Sequence, residues 1–499
     1  APEAVRSGKY RFLRTAPVLF SPVDPKTLFF AGNVLFKTKN GGNSWTVISP
    51  DLSREAWDIP ESVGIYTDQN MKTMPRRGVI YTVAPSFKDS NTIWCGTDDG
   101  LIHVTRNGGK TWKNVTPPEI TSWSKVSLME ASHFDVNTAY AAVNRIRVDD
   151  MRPHIYKTTD GGKTWKKIVR NLPADPINVV REDPRKKGLL YAGSETAVYV
   201  SFDDGENWMS LRKNMPATSI RDLVIKDDDI VLGTHGRSFW IMDDITPLRQ
   251  IDPQLAASPV ILFKPQNAWR LRWGMYTDTP IPQEEPAGEN PPDGAVINYY
   301  LKNDIARELT VEIIDAKGNL VRKYSSGDKP YVKPADNVPD YWVRPQAILT
   351  TSAGARRWLW DMRYAPLDVP QTYPIGAVYK NTAPNPTAPF VMPGIYTVRL
   401  TADGRSLTQT FSVKMDPRVK TPLKDLQAQH DLSKQLYDLR KAMLAFKPAT
   451  NEAMQERSRL LAQSANLFDI LQDTDMPPTS QAKRDAAELM AKMKKLLTK

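Results

Sequence analysis

The stretch Thr158-Thr-Asp-Gly-Gly-Lys-Thr-Trp165 decides the fold, because the chain repeats it. Thr38-Lys-Asn-Gly-Gly-Asn-Ser-Trp45 and Thr105-Arg-Asn-Gly-Gly-Lys-Thr-Trp112 come before it, and Ser201-Phe-Asp-Asp-Gly-Glu-Asn-Trp208 follows. The opening residue of each copy (Thr38, Thr105, Thr158, Ser201) carries a hydroxyl, and the third (Asn40, Asn107, Asp160, Asp203) is a short polar side chain that can accept backbone N–H groups of its own turn. Gly42, Gly109, Gly162 and Gly205 fall where the chain needs a positive φ. Trp45, Trp112, Trp165 and Trp208 open the next strand and are expected to bury a ring between neighbouring units. A calcium loop is the rival reading, but each copy holds few carboxylates and two have Asn where the acid would be.

Around each copy the same order of strands recurs. The first unit shows Pro17-Val-Leu-Phe20, Thr27-Leu-Phe-Phe-Ala-Gly32, Val34-Leu-Phe-Lys37 and Trp45-Thr-Val-Ile48. Second, third and fourth units run through residues 79–95, 126–157 and 177–200. A fifth, over residues 220–241, keeps three strands and loses the turn motif. Four-stranded units of this size are β-propeller blades, and they must stack to bury their faces. Five blades leave an accounting problem, because open edges of a ring expose unpaired backbone. The expectation is an incomplete ring, whose missing blades come from an N-terminal half or another subunit; a compact five-bladed ring is the alternative.

The repeat resembles the Asp box, or bacterial neuraminidase repeat, of sialidases, xyloglucan-cleaving glycosidases and sortilin-type receptor propellers. Residues 14–22, 96–103, 233–244 and 393–400 resemble segments of large secreted bacterial proteins labelled glycosyl hydrolase or sortilin-like. The resemblance implies a propeller whose boxes lie at the periphery and serve structure. It also implies a secreted or periplasmic protein, and relatives with further repeats before the point where this chain starts.

Beyond the repeats the texture changes. The expected division is a propeller portion over 1–250, a connector and Pro-rich loop over 251–294, a β-sandwich over 295–416 and a helical region over 417–499. Strands alternating apolar and polar residues and separated by Gly and Asp-Gly turns suggest an immunoglobulin-like or fibronectin-like sandwich. Its insertion over residues 365–392 is long. Leu432, Leu436, Leu439, Met443 and Phe446 make one stripe of an amphipathic helix, and two more helices follow. They either pack on the body and each other or form a partner-binding surface. The fold class is therefore mainly β: about five Asp-box blades, a sandwich and a helical C-terminus.

Composition narrows the function. The net charge of +11 comes from scattered basic residues without a Lys/Arg stripe, so nucleic acid is not expected as a partner. No apolar run approaches the length of a membrane span. The lone Cys95 cannot form an intrachain disulfide and reads as a buried apolar residue. Five dispersed histidines give no metal motif, and no cofactor motif appears.

Ligands of propellers sit at the axial channel, so the candidate binding residues are those on and beside the inner strands: Glu130, His133, Arg181, Arg221 and Asp222, with Glu182, and His235 and Arg237 in Gly-Thr-His-Gly-Arg. A structural role, as ion pairs between blades, is the competing reading. Two function classes follow. One is non-catalytic binding of a peptide, protein or glycan in an extracellular or periplasmic assembly. The other is a glycoside hydrolase acting on a polysaccharide, which needs two carboxylates flanking the scissile bond. Asp98, Asp99, Glu130 and Asp222 supply acids without showing which face each other, although Asp98-Asp99-Gly100 reads more simply as a hairpin turn. A carboxylate pair in an open cleft beside an aromatic platform favours the enzyme, and a filled or covered channel favours binding.

Overall fold

The computed structural model describes residues 9–55, 78–272, 284–285, 288, 291, 293–329, 339–344, 347–373 and 382–498. Much of the expected Pro-rich loop after residue 278, residues 56–77 between the first two repeats and part of the insertion over residues 365–392 lie outside them. The chain divides into two compact units, Ala1–Ile251 and Asp252–Lys499.

The first unit is a series of antiparallel sheets in simple meander order. Blade one is β1 (Val18–Phe20), β2 (Leu28–Ala31), β3 (Leu35–Thr38) and β4 (Thr46–Val47). Blade two is β5 (Ile80–Pro85), β6 (Ile93–Thr97), β7 (Ile102–Thr105) and β8 (Lys113–Asn114). Blade three is β9 (Lys125–Ala131), β10 (Ala139–Asn144), β11 (Ile155–Thr158) and β12 (Lys166–Lys167). Blade four is β13 (Ile177–Glu182), β14 (Leu190–Ser194), β15 (Val198–Ser201) and β16 (Met209–Ser210). Blade five has three strands, β17 (Ser219–Lys226), β18 (Asp229–His235) and β19 (Phe239–Met242). These are propeller blades, as the repeats predict.

Hydrogen bonding in the turn explains the motif. The third residue accepts the N–H four residues on: Ser44 to Asn40 Oδ1 (3.0 Å), Thr111 to Asn107 (2.9 Å), Thr164 to Asp160 (3.0 Å) and Asn207 to Asp203 (2.8 Å). Only a side-chain carbonyl or carboxylate oxygen is required, so Asn and Asp are interchangeable there. The first residue's hydroxyl accepts the glycine N–H, as from Gly109 to Thr105 (3.0 Å) and Gly162 to Thr158 (2.9 Å). The motif glycines lie at φ +91, +97, +86 and +89°, a region that favours glycine.

The same motif joins one blade to the next. Trp112 Nε1 donates to the Ile48 carbonyl (2.8 Å), Trp165 to Val115 (2.7 Å) and Trp208 to Ile168 (2.9 Å). Each acceptor follows strand four of the preceding blade. Trp208 is buried, while Trp112 and Trp165 are half-buried. Trp45 differs from the expectation for its position. It packs edge-on against Phe30 of its own blade (6.0 Å between centroids) and bridges no neighbour among the described residues.

The second unit opens with β20 (Val260–Leu262) and β21 (Ala268–Arg270), from the segment read in sequence as a connector. Strands β22 (Ala295–Leu301), β23 (Thr310–Asp315), β24 (Leu320–Ser325), β25 (Gly354–Trp360), β26 (Gly394–Ala402) and β27 (Arg405–Met415) follow. They form two sheets, β20-β22-β25 and β21-β27-β26-β23-β24. Alternate residues such as Ile297, Tyr299, Val311, Ile313, Trp360, Val398 and Leu400 share one core. β21 completes its sheet by pairing parallel to β27, a long-range contact that local sequence pattern does not announce.

Helices α1 (Leu423–Ala445), α2 (Asn451–Gln472) and α3 (Ser480–Leu497) close the chain. Thr450 and Thr479 cap α2 and α3 by accepting from Ala453 and Ala482. The predicted stripe on α1 packs with Leu460, Leu467, Leu489 and Met493 of the other two helices.

Candidate functional site

The first strands of blades two to five lie side by side, so their ends gather the candidate residues. Neighbouring inner strands are tied by Met129 N donating to Thr82 Oγ1 (2.9 Å) and by Ser127 Oγ donating to the Ile177 carbonyl (3.4 Å).

At the C-terminal end of these strands Arg181 is the hub. Its guanidinium donates to Glu130 Oε2 (2.7 Å), Asp222 Oδ1 (3.2 Å) and the Leu223 carbonyl (2.8 Å), linking blades three, four and five. Burial works against its charge, but Glu130 and Asp222 outweigh that and hold its pKa above the ordinary arginine value. Glu130 also meets His133 Nε2 (3.2 Å), and the His133 ring stacks on Phe87 (3.6 Å between centroids). Glu182 is buried, and it accepts from Ser132 Oγ and His133 N (both 2.7 Å). Of the predicted residues, Glu130, His133, Arg181, Glu182 and Asp222 thus form one network. The two carboxylates closest to a glycosidase-like pair, Glu130 and Asp222, share Arg181 as a counter-ion lying between them. Asp98 and Asp99 sit in the turn after β6, where Asp98 accepts from Val79 N (2.9 Å) and Asp99 from Thr97 Oγ1 (2.5 Å) and Arg54 N (2.8 Å).

The opposite end holds a feature that sequence reasoning missed. Pairing of the first two strands shifts register between Ile80 and Thr82, between Ala142 and Val143, between Ile177 and Val179, and between Ile220 and Asp222. The shifts leave Tyr81, Ser127, Asn178 and Arg221 unpaired, one in each of blades two to five. A β-bulge re-aims the side chain it carries, and here it recurs at the same level of the inner strands of blades two to five. Tyr81 receives Lys125, whose ammonium lies 4.9 Å from the ring centroid. Asn178 donates to Glu195 (3.0 Å) and accepts from Asn144 (2.7 Å). Arg221 meets Glu195 (3.2 Å) and His235 Nδ1 (3.3 Å). Arg147 donates to the Asp98 and Trp123 carbonyls and lies over the Trp123 ring. No hydrophobic alternation marks a bulge, so nothing in the sequence pointed to these four residues together.

This bulged rim is rich in cations. Burial pushes the Lys125 pKa down, and the positive charges of Arg147 and Arg221 push it further. Burial would raise Glu195, but the hydrogen bond from Asn178 and the Arg221 charge help hold it below the usual carboxylate range. Burial raises Asp98 despite the Val79 N–H and Arg147. Arg221 and His235 therefore join this rim, away from the Arg181 network. Arg237 joins neither cluster through its side chain; it contributes its carbonyl to Trp240 Nε1 (3.0 Å). Among the described residues no cluster of potential metal ligands occurs, and no helix is long and apolar enough to cross a membrane.

With this geometry in view, comparison with known proteins places the repeats. Residues 86–241 match the family model described as photosynthesis system II assembly factor YCF48. No curated protein matches the chain. Among solved structures, the family-74 xyloglucanase of Xanthomonas campestris is 14% identical, over 51% of this chain and 43% of its own, with a TM-score of 0.34. The chain thus spans less than half of that enzyme's length. A YCF48 structure with a bound D1 peptide is 13% identical over 46% of this chain and 94% of its own, with a TM-score of 0.22. The family-74 enzyme of Niastella koreensis is 13% identical over 78% of this chain and 56% of its own, with a TM-score of 0.32. The family match and the four hydrogen-bonded turns together identify the first half of the chain as a β-propeller portion built from Asp-box, or bacterial neuraminidase, repeats.

Proposed function

We propose that this is a non-catalytic binding propeller, exported to the periplasm or cell exterior, whose bulged rim takes an acidic peptide segment of a partner protein in an assembly. The observation that carries the reading is Lys125. Its ammonium is half-buried over the Tyr81 ring, and the positive charges of Arg147 and Arg221 act on it more strongly than the negative charges of Glu195 and Asp98. A carboxylate from a ligand would relieve that repulsion, and Tyr81 and Trp123 offer apolar surface beside it. The placement outside the cytoplasm rests on the resemblance to secreted bacterial propeller proteins.

Fluorescence anisotropy with a labelled acidic peptide tests the binding reading, using a basic peptide of equal length as control. Binding of the acidic peptide alone is expected, weakening with salt. Arg221→Ala and Lys125→Met are each expected to lower affinity by about tenfold, the loss of one charge-assisted contact of ~1.5 kcal/mol. Equal binding of both peptides, or variants without effect, would remove the assignment.

The glycoside hydrolase reading keeps one specific support, the nearness of Glu130 and Asp222 across Arg181. A reducing-sugar assay on xyloglucan, run beside Glu130→Gln and Asp222→Asn, decides it. Hydrolysis abolished by both variants would establish the enzyme in place of the binding module.

A further inference from the structure

The chain contains two Asn-Gly steps, Asn40-Gly41 and Asn107-Gly108, and each supplies the third residue of an Asp box. Asn-Gly is the step at which a peptide most readily cyclises, because glycine has no Cβ to shield its nitrogen. Both side-chain amides are exposed, and both are set for attack in the same way. Thr38 Oγ1 (2.9 Å) and Ser44 N (3.0 Å) donate to Asn40 Oδ1, and Asn40 Nδ2 donates to Ser44 Oγ (2.9 Å). Thr105 Oγ1 (3.0 Å) and Thr111 N (2.9 Å) donate to Asn107 Oδ1, and Asn107 Nδ2 donates to Thr111 Oγ1 (2.8 Å). Two donors on one carbonyl oxygen polarise it, the arrangement that stabilises a tetrahedral intermediate of acyl transfer. Gly41 and Gly108 have φ of +69 and +70°, so the two turns also share their backbone shape.

The two boxes differ at the nucleophile. Gly108 N–H donates to the Asn91 carbonyl (2.9 Å), in the turn between β5 and β6. Boxes three and four hold the equivalent nitrogen likewise, Gly161 N on the Asn137 carbonyl and Asp204 N on the Gly188 carbonyl (both 2.9 Å). Lys26 stands at that place in blade one, because Ser21 N donates to the Thr27 carbonyl as Ser86 N does to that of Thr92. Gly41 N–H makes no hydrogen bond there or elsewhere among the described residues. Its surroundings are open as well. A Cβ on Gly41 would have nothing within 4 Å, whereas one on Gly108 would come within 3.3 Å of Asn91 Oδ1.

We propose that Asn40 is a site of spontaneous deamidation in the folded protein, and that the Asn91 carbonyl protects Asn107 from the same reaction. The Gly41 nitrogen attacks Asn40 Cγ, forming the new C–N bond of a succinimide and breaking the Cγ–Nδ2 bond. The amide nitrogen leaves as ammonia, carrying the proton that Gly41 gives up. Water then opens the ring at either carbonyl and yields aspartate or isoaspartate, a negative charge in place of a neutral amide. The aspartate product keeps an oxygen for Ser44 N–H, as Asp160 does for Thr164 N–H, so box one survives it. The isoaspartate product inserts an extra carbon into the backbone ahead of Gly41 and breaks the turn. At Gly108 the nitrogen must first give up its bond to Asn91.

Ageing the full chain at mildly alkaline pH and mapping its peptides by mass spectrometry tests this, beside a parallel sample in urea. The two steps have nearly the same neighbours, Lys-Asn-Gly-Gly and Arg-Asn-Gly-Gly, so equal rates are expected in urea. In the folded protein Asn40 is expected to deamidate roughly fivefold to tenfold faster than Asn107, the kinetic equivalent of one net hydrogen bond. Equal rates in the folded protein, or faster conversion of Asn107, overturn the inference. So does a folded chain in which neither residue changes while both change in urea.

Asn40→Asp gives the companion measurement. On isoelectric focusing the aged parent is expected to gain an acidic band, and Asn40→Asp to start at that position and gain none. An acidic band that grows in Asn40→Asp at the parent's rate places the reaction elsewhere and overturns the assignment.

Discussion

At the junctions between blades one and four the same contacts recur three times, whereas the stitching of the C-terminal unit is made of contacts that occur once. Indole to carbonyl, glycine against the preceding strand end and hydroxyl to glycine N–H repeat from box to box. In the second unit, Asp475 after α2 accepts from Arg270 (2.7 Å) and twice from Arg272 (2.8 and 2.9 Å). Phe390 lies beneath three guanidinium groups, those of Arg270, Arg272 and Arg363, with Arg363 at 3.5 Å. Burial lowers the Arg363 pKa to about 10, against the opposing pull of Asp361. Gln472 accepts from Phe390 N (3.1 Å) and Arg363 (3.2 Å) and donates to Ser433 (3.0 Å). A repeated junction spreads its stability over equivalent sites, while a single stitch concentrates it.

The sharpest break in that comparison is Asp475→Ala. Arg270 is almost fully buried, so the change leaves its guanidinium and that of Arg272 without a counter-ion. Removing one partner of a buried ion pair costs about 3–5 kcal/mol. Thermal unfolding followed by circular dichroism should show the second unit melting earlier, with loss of helix signal. A shift as small as that of a surface substitution would mean the stitch is dispensable.

The two halves were also unequally legible. Local chemistry writes an Asp box completely, because its donors, acceptors and positive-φ glycine lie within eight residues. Its four copies therefore predicted the turns, the blades and their order. The stripe on α1 was equally plain, since a helix writes its buried face at fixed intervals. Long-range choices were not written in this way. Nothing in Ala268–Arg270 distinguishes a connector from a strand that pairs parallel to β27. Candidate residues on the inner strands could be named because those strands line the axis. Their separation into an Arg181 network and a bulged rim could not, because it depends on register shifts after Ile80, Ile177 and Ile220.

Within the repeated half, the glycines give a graded test. Gly42 and Gly109 have nearly the same φ, +91 and +97°, so Gly→Ala imposes the same backbone cost of about 1–2 kcal/mol at each. Only Gly109 abuts the preceding blade. Gly109→Ala should therefore be worse than Gly42→Ala by a further ~1–3 kcal/mol, the usual cost of overpacking. Denaturant unfolding of the two variants measures that difference. Equal losses would show that the junction yields without resistance, and the recurrence of the contact would then say little about stability.

The smallest effect separates boxes that carry an acid at the third position from those that carry its amide. Asp160 and Asn40 each accept one N–H through Oδ1, but the second side-chain atom works in opposite senses. Asp160 Oδ2 accepts from Thr164 Oγ1 (2.6 Å), and Asn40 Nδ2 donates to Ser44 Oγ (2.9 Å). Hydrogen bonds from the Thr164 hydroxyl and N–H lower the Asp160 pKa to about 2. A carboxylate depressed in the folded state contributes stability that is fully present above its unfolded pKa of about 3.9. That contribution is lost as pH falls toward 2. Asp160→Asn should leave the melting temperature at pH 7 unchanged and flatten the part of its acid decline that belongs to this box. Carboxyl chemical shifts followed from pH 5 to pH 2 give the companion measurement, with Asp160 titrating below the exposed aspartates. An ordinary Asp160 titration would mean that the four boxes hold their turns equally well with or without the charge, leaving indole and glycine contacts as what distinguishes one junction from another.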